Sequence, residues 1–395
     1  MIKRKKKNKE QNPFYDPTLK SRHASSGRFK KFTLISLIFS ILFLVVFLVD
    51  IFSKGVPAFK IAYVKVDITF NEQTIDDTRF AIDRKYKDIV SRAWLRDIPT
   101  FVKANPSYMN TTQNLWVLAD NKVDQYLKGH NHKLKDKDVS LVDDMKSQGL
   151  VEFKFNKIFF TNGDSKIPEY AGLNSAIVGS IFTLIITMLA AFPVGVMTAI
   201  YLEEFSSDNK FTRFIEVNIN NLAAVPAILF GLLGLSVFIN LFGLPRSSPI
   251  VGGLTLALMT LPIIIVSSRA ALRAVPDSIR QAGYGLGLNK IQVTSDHVLP
   301  LAFPGILTGS ILGLAHAMGE TAPLIIIGMI AFIPDTPSMI TEAATVMPAQ
   351  IFTWAGMPEG MYVEKTAAGI IVLLGVLISL NAIAIYLRKK FEVKL

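Results

Sequence analysis

SSRAALRAVPDSIRQAGYGLGLNKIQVTSDHVLPLAFPG, Ser267 to Gly305, is a polar stretch set between two long apolar runs. Pro276 can open a helix, because its missing N–H falls in a first turn whose N–H groups have no intrahelical partner. Asp277 then sits favourably near the positive end of that helix. Ile279, Ala282 and Leu286 fall on one helical face, while Gly283, Gly285 and Gly287 let the chain turn and permit close approach. Leu299-Pro300 marks a stop before the next apolar run. A short amphipathic helix between two membrane-type runs suits docking in a partner's groove; an ordinary surface loop is the alternative.

The flanks decide the setting. Of 395 residues, 50% are hydrophobic and none is cysteine, and the mean hydropathy is +0.39. Long uncharged runs recur, which predicts an integral membrane protein. The missing cysteine excludes disulfides and thiolate metal sites. The net charge of +11 is concentrated in residues 1–31, where eleven Lys/Arg face two acids. Such a block beside an apolar run is a topology signal that meets anionic lipid, and no nucleic-acid-binding signature accompanies it.

The first run, FTLISLIFSILFLVVFLV (Phe32 to Val49), follows a leader too long for a signal peptide and has no small-residue cleavage site after it. It predicts an uncleaved anchor over 32–52, with residues 1–31 as a basic cytoplasmic N-terminus. Residues 53–170 are polar. VKVDITF and LVEFKFNKIFF alternate with period two, as strands do, whereas TRFAIDRKYKDIVSRAWL reads as helix. A small α+β domain outside the membrane is expected there. Further apolar segments lie at about 173–201, 220–243, 249–267, 301–333 and 367–387. Six spans return the C-terminus to the side of the N-terminus, in agreement with the basic Arg388–Lys394 tail. The fold class is thus an all-α polytopic membrane protein with six transmembrane helices and an α+β domain inserted between the first two. Residues 171–390 form its core, and 269–300 its cytoplasmic loop.

Within the fifth apolar run stands HAMGETAPLIIIG, His316 to Gly328. Glu320 has no charged neighbour in sequence nearer than Asp296 and Asp335. A carboxylate so placed is costly unless it faces a partner or a wet cavity, so a functional role is the default. His316, four residues earlier, would share its helical face. The run exceeds one straight crossing of a ~30 Å core, and Pro304 and Pro323 could bend or break it. Glu320 could line a pathway or gate, or pair with a cation of another chain. Thr321 could meet an anion or its own backbone, and His316 could be structural or functional. Asn220 and Asn221 would cap the third span or line the pathway, with capping the favoured reading. No catalytic constellation and no metal-ligand spacing is present.

The Ser267–Gly305 stretch resembles the EAA loop of binding-protein-dependent ABC importers, in which E-A-A, three residues, Gly, nine residues and I-x-L-P follow in order. Here Gln281-Ala282-Gly283 precedes Gly287 and then His297-Val298-Leu299-Pro300, with Gln for Glu, Gly for Ala and His for Ile. NLAAVPAILFGLLGL (Asn221 to Leu235) and ILTGSILGLAHAMGETAPLIIIG are similar to spans of PstA-type phosphate permeases, as are LTLALMTLPIIIVSS, IYLEEF and ALRAVPDSIRQA. That family usually carries acids where Ser268-Arg269-Ala270 stand, which removes the basis for assigning ion pairs near Arg269 by analogy. The N-terminal anchor and outer domain resemble an extended variant of this permease in some Gram-negative bacteria.

The resemblance implies a multi-pass permease subunit of the bacterial inner membrane, both termini cytoplasmic, that moves inorganic phosphate inward by alternating access. Its partners would be a PstC-like permease subunit, an ATP-binding subunit dimer, a periplasmic phosphate-binding protein and membrane lipid. Gln281, Ala282, Gly283, Gly287, Leu299 and Pro300 would form the ATPase coupling loop. Glu320, Thr321 and His316 would form the pathway or gate. The chain has no G-x-x-x-x-G-K-[ST] phosphate loop, so it would be no enzyme, and ATP, used by the partner, would be no cofactor of its own. A sulfate or molybdate permease of the same fold, or a membrane-anchored sensor, is the alternative.

Overall fold

The computed structural model describes residues 18–330 and 332–391. Most of the basic 1–31 block, and the tail beyond Phe391, therefore lie outside the described residues. The chain divides into two compact units, one ending at Ser53 and the other beginning at Lys54. The first is helix α1, Leu19–Gly55, whose last two residues belong to the second unit. From Phe32 to Val49 its large apolar side chains are exposed on every side. A helix apolar all round buries itself in lipid or in other protein. Five described helices are long and apolar enough to cross a membrane, and a sixth crossing results if one pair bent by 104° counts as a single span.

The second unit opens with a three-stranded antiparallel sheet in the order β2-β1-β3. Its strands are β1 Lys60–Phe70, β2 Thr111–Leu118 and β3 Val151–Phe155. Val64, Val66, Ile68 and Phe70 of β1 are buried in the domain core. The register pairs Tyr63 with Leu118 and with Glu152. VKVDITF and VEFKF are thus strands, but the continuation at 157–161 is a helical turn capped by Asn156. TRFAIDRKYKDIVSRAWL is not one helix. It forms two 3-10 turns and α2, Arg92–Arg96. Asp77, Asp83 and Ser91 each accept a hydrogen bond from the backbone N–H two residues on, which restarts the chain three times. Helices α3 Asn121–Leu127 and α4 Asp136–Ser147 complete the domain.

The core begins with α5, Asn174–Ile200, which runs through Pro193 into π-helical turns at Tyr201–Phe205. The expected third span is broken. Helix α6, Lys210–Ala223, meets α7, Ala227–Leu233, at the 104° bend, and π-helical turns extend α7 to Leu241. Residues 227–241 would measure roughly 22 Å as α-helix, short of a full ~30 Å crossing. Pro226 sets the bend, since it lacks an N–H and its φ is fixed. Asn220 and Asn221 lie in the last turn of α6 and cap nothing at its start; Asn209 does, accepting from Thr212 N at 2.8 Å. The long helix α8, Pro249–Arg273, lies against α5, with Gly253 and Gly195 giving way to Ile186 and Ile264.

Helix α9, Asp277–Gly285, leads through short turns into α10, Leu299–Gly319. After α11, Ala322–Ile326, comes α12, Met347–Ala355, inside what reads as loop in the sequence. The last helix, α13, spans Gly360–Phe391, several residues longer at its start than the apolar run. Its second turn is ionic. Glu364 is buried with Lys128 Nζ 2.9 Å, Gln125 Nε2 2.5 Å and His130 Nδ1 2.7 Å from its carboxylate, and Lys128 also pairs with buried Asp124 at 2.7 Å. Lys365, 1% exposed, donates to the carbonyls of Pro168 and Ala171. The sheet domain is therefore joined to α13 by buried charge, each ion with a partner, as burial demands.

Candidate functional site

The polar loop folds as a bracket beneath α8 and α10. Helix α9 starts at Asp277 with Pro276 as its N-cap, one residue later than the sequence suggests. Gly283 is its buried position, and a Cβ there would stand 2.8 Å from Val293. Ile279 is half-buried, but Ala282 and Leu286 face outward, Leu286 80% exposed. Of the three residues expected on one face, Ile279 therefore packs on the chain itself while Ala282 and Leu286 remain open at the surface. Gln281, Ala282, Tyr284, Leu286 and Ile291 present a partly apolar outer surface. Gly287 adopts φ +83°, the left-handed conformation that ends the helix and that a side chain would strain. Leu299 and Pro300 do not stop the chain. They are the first two residues of α10, continuous with the π-helical turns of 293–298.

What holds this bracket is an ionic lattice. Arg280 donates to Glu204 at 2.7 Å and 3.3 Å, and to the carbonyls of Leu272 and Val275 at 2.9 Å and 2.7 Å. It thereby satisfies carbonyls at the end of α8 and ties α9 to the end of α5. The Glu204 carboxylate, almost fully buried, holds the Arg280 guanidinium protonated even beyond its ordinary high value. Arg273 donates to Glu203 at 2.8 Å. Arg269 donates to Glu203 at 3.3 Å and also pairs with Glu216 of α6. Sequence reasoning missed this lattice. Its signal was the Glu203-Glu204 pair closing one apolar run and Arg269, Arg273 and Arg280 leaving another, the first two one helical turn apart.

At the far end of α10, roughly 30 Å away at 1.5 Å per residue, the helix stops at Gly319. Glu320 is extended (φ −80°, ψ 119°) and Thr321 is the N-cap residue of α11. Pro323 causes the break, since it cannot donate to Gly319 and its ring would clash there. The structure does bring His316 and Glu320 together, Nε2 to Oε1 3.4 Å, an ion-pair distance, but across the helix end and not along a helical face. His316 is 57% exposed and Glu320 26%. Thr321 is half-buried, and its hydroxyl caps no backbone group. The α7–α11 contact fixes the break: a Cβ on Gly231 would lie 2.7 Å from Pro323 Cα. The cavity lined by Ser180, Leu256, Ala317 and Leu324 measures only about 10 Å3, room for one water at most. Neither Glu320 nor His316 lines that cavity; His316 lies at the surface of the chain and Glu320 partly so. Among the described residues no cluster of His, Asp and Glu could hold a metal.

Helices long and apolar enough to cross a membrane, a Pro-broken span ending at a carboxylate, and a polar bracket between two of the long helices define a polytopic membrane protein. The chain belongs to the binding-protein-dependent transport system inner membrane component family, whose sequence profile matches residues 191–393. A domain of unknown function, DUF3333, matches residues 16–85 and 77–136. Among characterised relatives, the probable ABC transporter permease protein YqgI of Bacillus subtilis is 34% identical over 178 residues, covering 45% of this chain and 59% of that protein. The phosphate transport system permease protein PstA of Mycobacterium leprae is 37% identical over 160 residues, 40% of this chain and 52% of that protein. The PstA of Yersinia pestis is 32% identical over 224 residues, 55% of this chain and 74% of that protein. The chain thus spans little more than half the length of the first two.

Proposed function

We propose that the chain is the transmembrane permease subunit of an ATP-driven importer that carries inorganic phosphate from periplasm to cytoplasm by alternating access. The observation that carries this reading is the similarity of the core to phosphate permeases, 32% over 224 residues in one case. The bacterial inner membrane is its location, with both termini in the cytoplasm. A PstC-like subunit covers the outward face of His316 and Glu320 and completes the pathway. An ATP-binding subunit dimer, the seat of ATP hydrolysis, docks on Gln281, Ala282 and Leu286, and a periplasmic phosphate-binding protein delivers the substrate. Nucleic acid has no part.

Mechanically, α10 is the link. Its first residues, Leu299 and Pro300, continue the bracket, and its last turn presents His316 to Glu320. A rigid helix moves at both ends at once, so displacement of α9 by the closing ATPase dimer reaches the Glu320–Thr321 break. The Arg280–Glu204 and Arg269–Glu203 pairs make α5, α8 and α9 respond together. An ionised Glu320 accepts a hydrogen bond from the P–OH that phosphate retains at neutral pH; sulfate has none to offer. A site built for such a donor rejects analogues that lack it. Replacement of Glu320 by Gln tests this. Phosphate uptake falls at least tenfold, or its preference over sulfate narrows by that factor; unchanged rate and selectivity would remove Glu320 from the pathway.

A further inference from the structure

Two adjoining cavities flank α2 in the sheet domain, and their walls are cationic. One, of about 270 Å3, is lined by Arg92, Arg96, Lys122 and Lys166 together with Asp120 and Glu169. The other, of about 340 Å3, is lined by Arg79, Lys87, Arg92 and Arg96, with no carboxylate in its wall. Arg92 and Arg96 stand one turn apart on α2 and so share a face that serves both. Arg79 is taken by Asp77 at 2.6 Å. Lys166 lies over the Phe332 ring, 5.7 Å from its centre. Among the described residues no carboxylate within ion-pair distance holds Arg92, Arg96, Lys122 or Lys166.

The two carboxyls in the smaller cavity offset this charge only in part. Glu169, 2% exposed, accepts from Ser91 Oγ at 2.6 Å, and burial pushes it up to about 7. Burial also raises Asp120, against the opposing Lys122 N–H bond and the charges of Lys122 and Arg92. Four cations around a concavity with at most two partial counter-charges make a positive potential that concentrates anions. Guanidinium forks match the paired oxygens of a phosphoryl group, and Asp120 at the wall can accept from a P–OH.

We propose that this cavity is a phosphate-binding site of the outer domain, in which Arg92, Arg96, Lys122 and Lys166 hold the phosphoryl oxygens and Asp120 takes the P–OH. Any place it has in transport rests on the importer reading, while its ligand chemistry does not. The same group occurs on phosphomonoester lipids, and the test separates the two sources. Full-length protein in nanodiscs of zwitterionic lipid is dialysed at pH 7 against radiolabelled inorganic phosphate. Saturable binding is expected. It weakens at least tenfold in Arg92→Gln/Arg96→Gln and in Lys122→Gln/Lys166→Gln, and is unchanged in the exposed control Lys103→Gln. Because the four side chains lie at the surface, the variants should melt with the parent, and a shared melting temperature is required before binding is compared. Binding of full strength in both double variants overturns the site. So does binding seen only as adsorption of phosphatidic acid, with inorganic phosphate failing to compete. Displacement by sulfate as effective as by phosphate overturns the role of Asp120. Uptake measured on the same variants keeps the two readings apart: lost binding with intact uptake denies the site a transport role, and intact binding in a chain that supports no uptake tells against the importer alone.

Discussion

Glu169 lies beneath the sheet domain, hydrogen-bonded to Ser91 and pushed up to about 7 by burial from an ordinary 4.5. A carboxyl raised in the folded state binds its proton more tightly there than in the unfolded chain. It therefore favours folding below about 4.5, and stability declines as pH rises from there through 7. Each tenfold gain in proton affinity is worth about 1.4 kcal/mol, which makes the decline on the order of 3 kcal/mol. Thermal melts in detergent from pH 4.5 to 8 should show this fall in the parent and a flatter profile in Glu169→Gln; parallel profiles would contradict it. Arg280→Ala leaves Glu204 buried without its cation, which costs about 3–5 kcal/mol, and it frees α9 from α5. Melting temperature and phosphate uptake should fall together, and replacing both residues by apolar ones should recover stability without uptake. A full-strength uptake in Arg280→Ala would show that the pair does not couple. Of these residues only Glu320 and its histidine were visible in sequence as a pair. Long-range partners such as Arg280 and Glu204, or Ser91 and Glu169, carry no period to detect.

Among the elements, periodicity found what is long and regular. The unbroken apolar helices α1, α5, α8 and α13, and β1, cover the stretches their apolar patterns mark, because burial in lipid or against a single core imposes one period over many residues. Short-range chemistry defeated it elsewhere. Asp77, Asp83 and Ser91 break residues 78–95 into turns, and hydropathy does not register side-chain caps. The third apolar run bends by 104° at Val225-Pro226; the proline marks a bend in the sequence, but hydropathy, unchanged there, does not give its size. The break after α10 was anticipated from Pro323, though not its geometry, in which Glu320 leaves the helix. The α7–α11 contact invites a test at this scale. A Cβ on Gly231 meets Pro323 backbone, which cannot yield as a flexible side chain could. Gly231→Ala should cost about 1–3 kcal/mol, shift the broken span and slow uptake; a variant with parental melting and uptake would show that the contact is not rigid.

For the whole molecule, the family was readable from the apolar runs and the residue spacing within 267–305, both properties of the chain's order. How the sheet domain joins the core was not. Glu364 and Lys365 read as loop charges ahead of the last run, whereas they lie in the second turn of α13 and are buried against Lys128, Gln125 and the 168–171 carbonyls. Residues 54 onward therefore form one compact unit, which holds the core together with the sheet domain and its cationic cavities. The central claim is that this unit imports phosphate. Uptake of radiolabelled phosphate by cells with and without the chain, other phosphate carriers disabled and sulfate in excess, tests it most directly. The account expects uptake that depends on the chain and survives the sulfate. Uptake that is the same without the chain, or that sulfate abolishes, would contradict it.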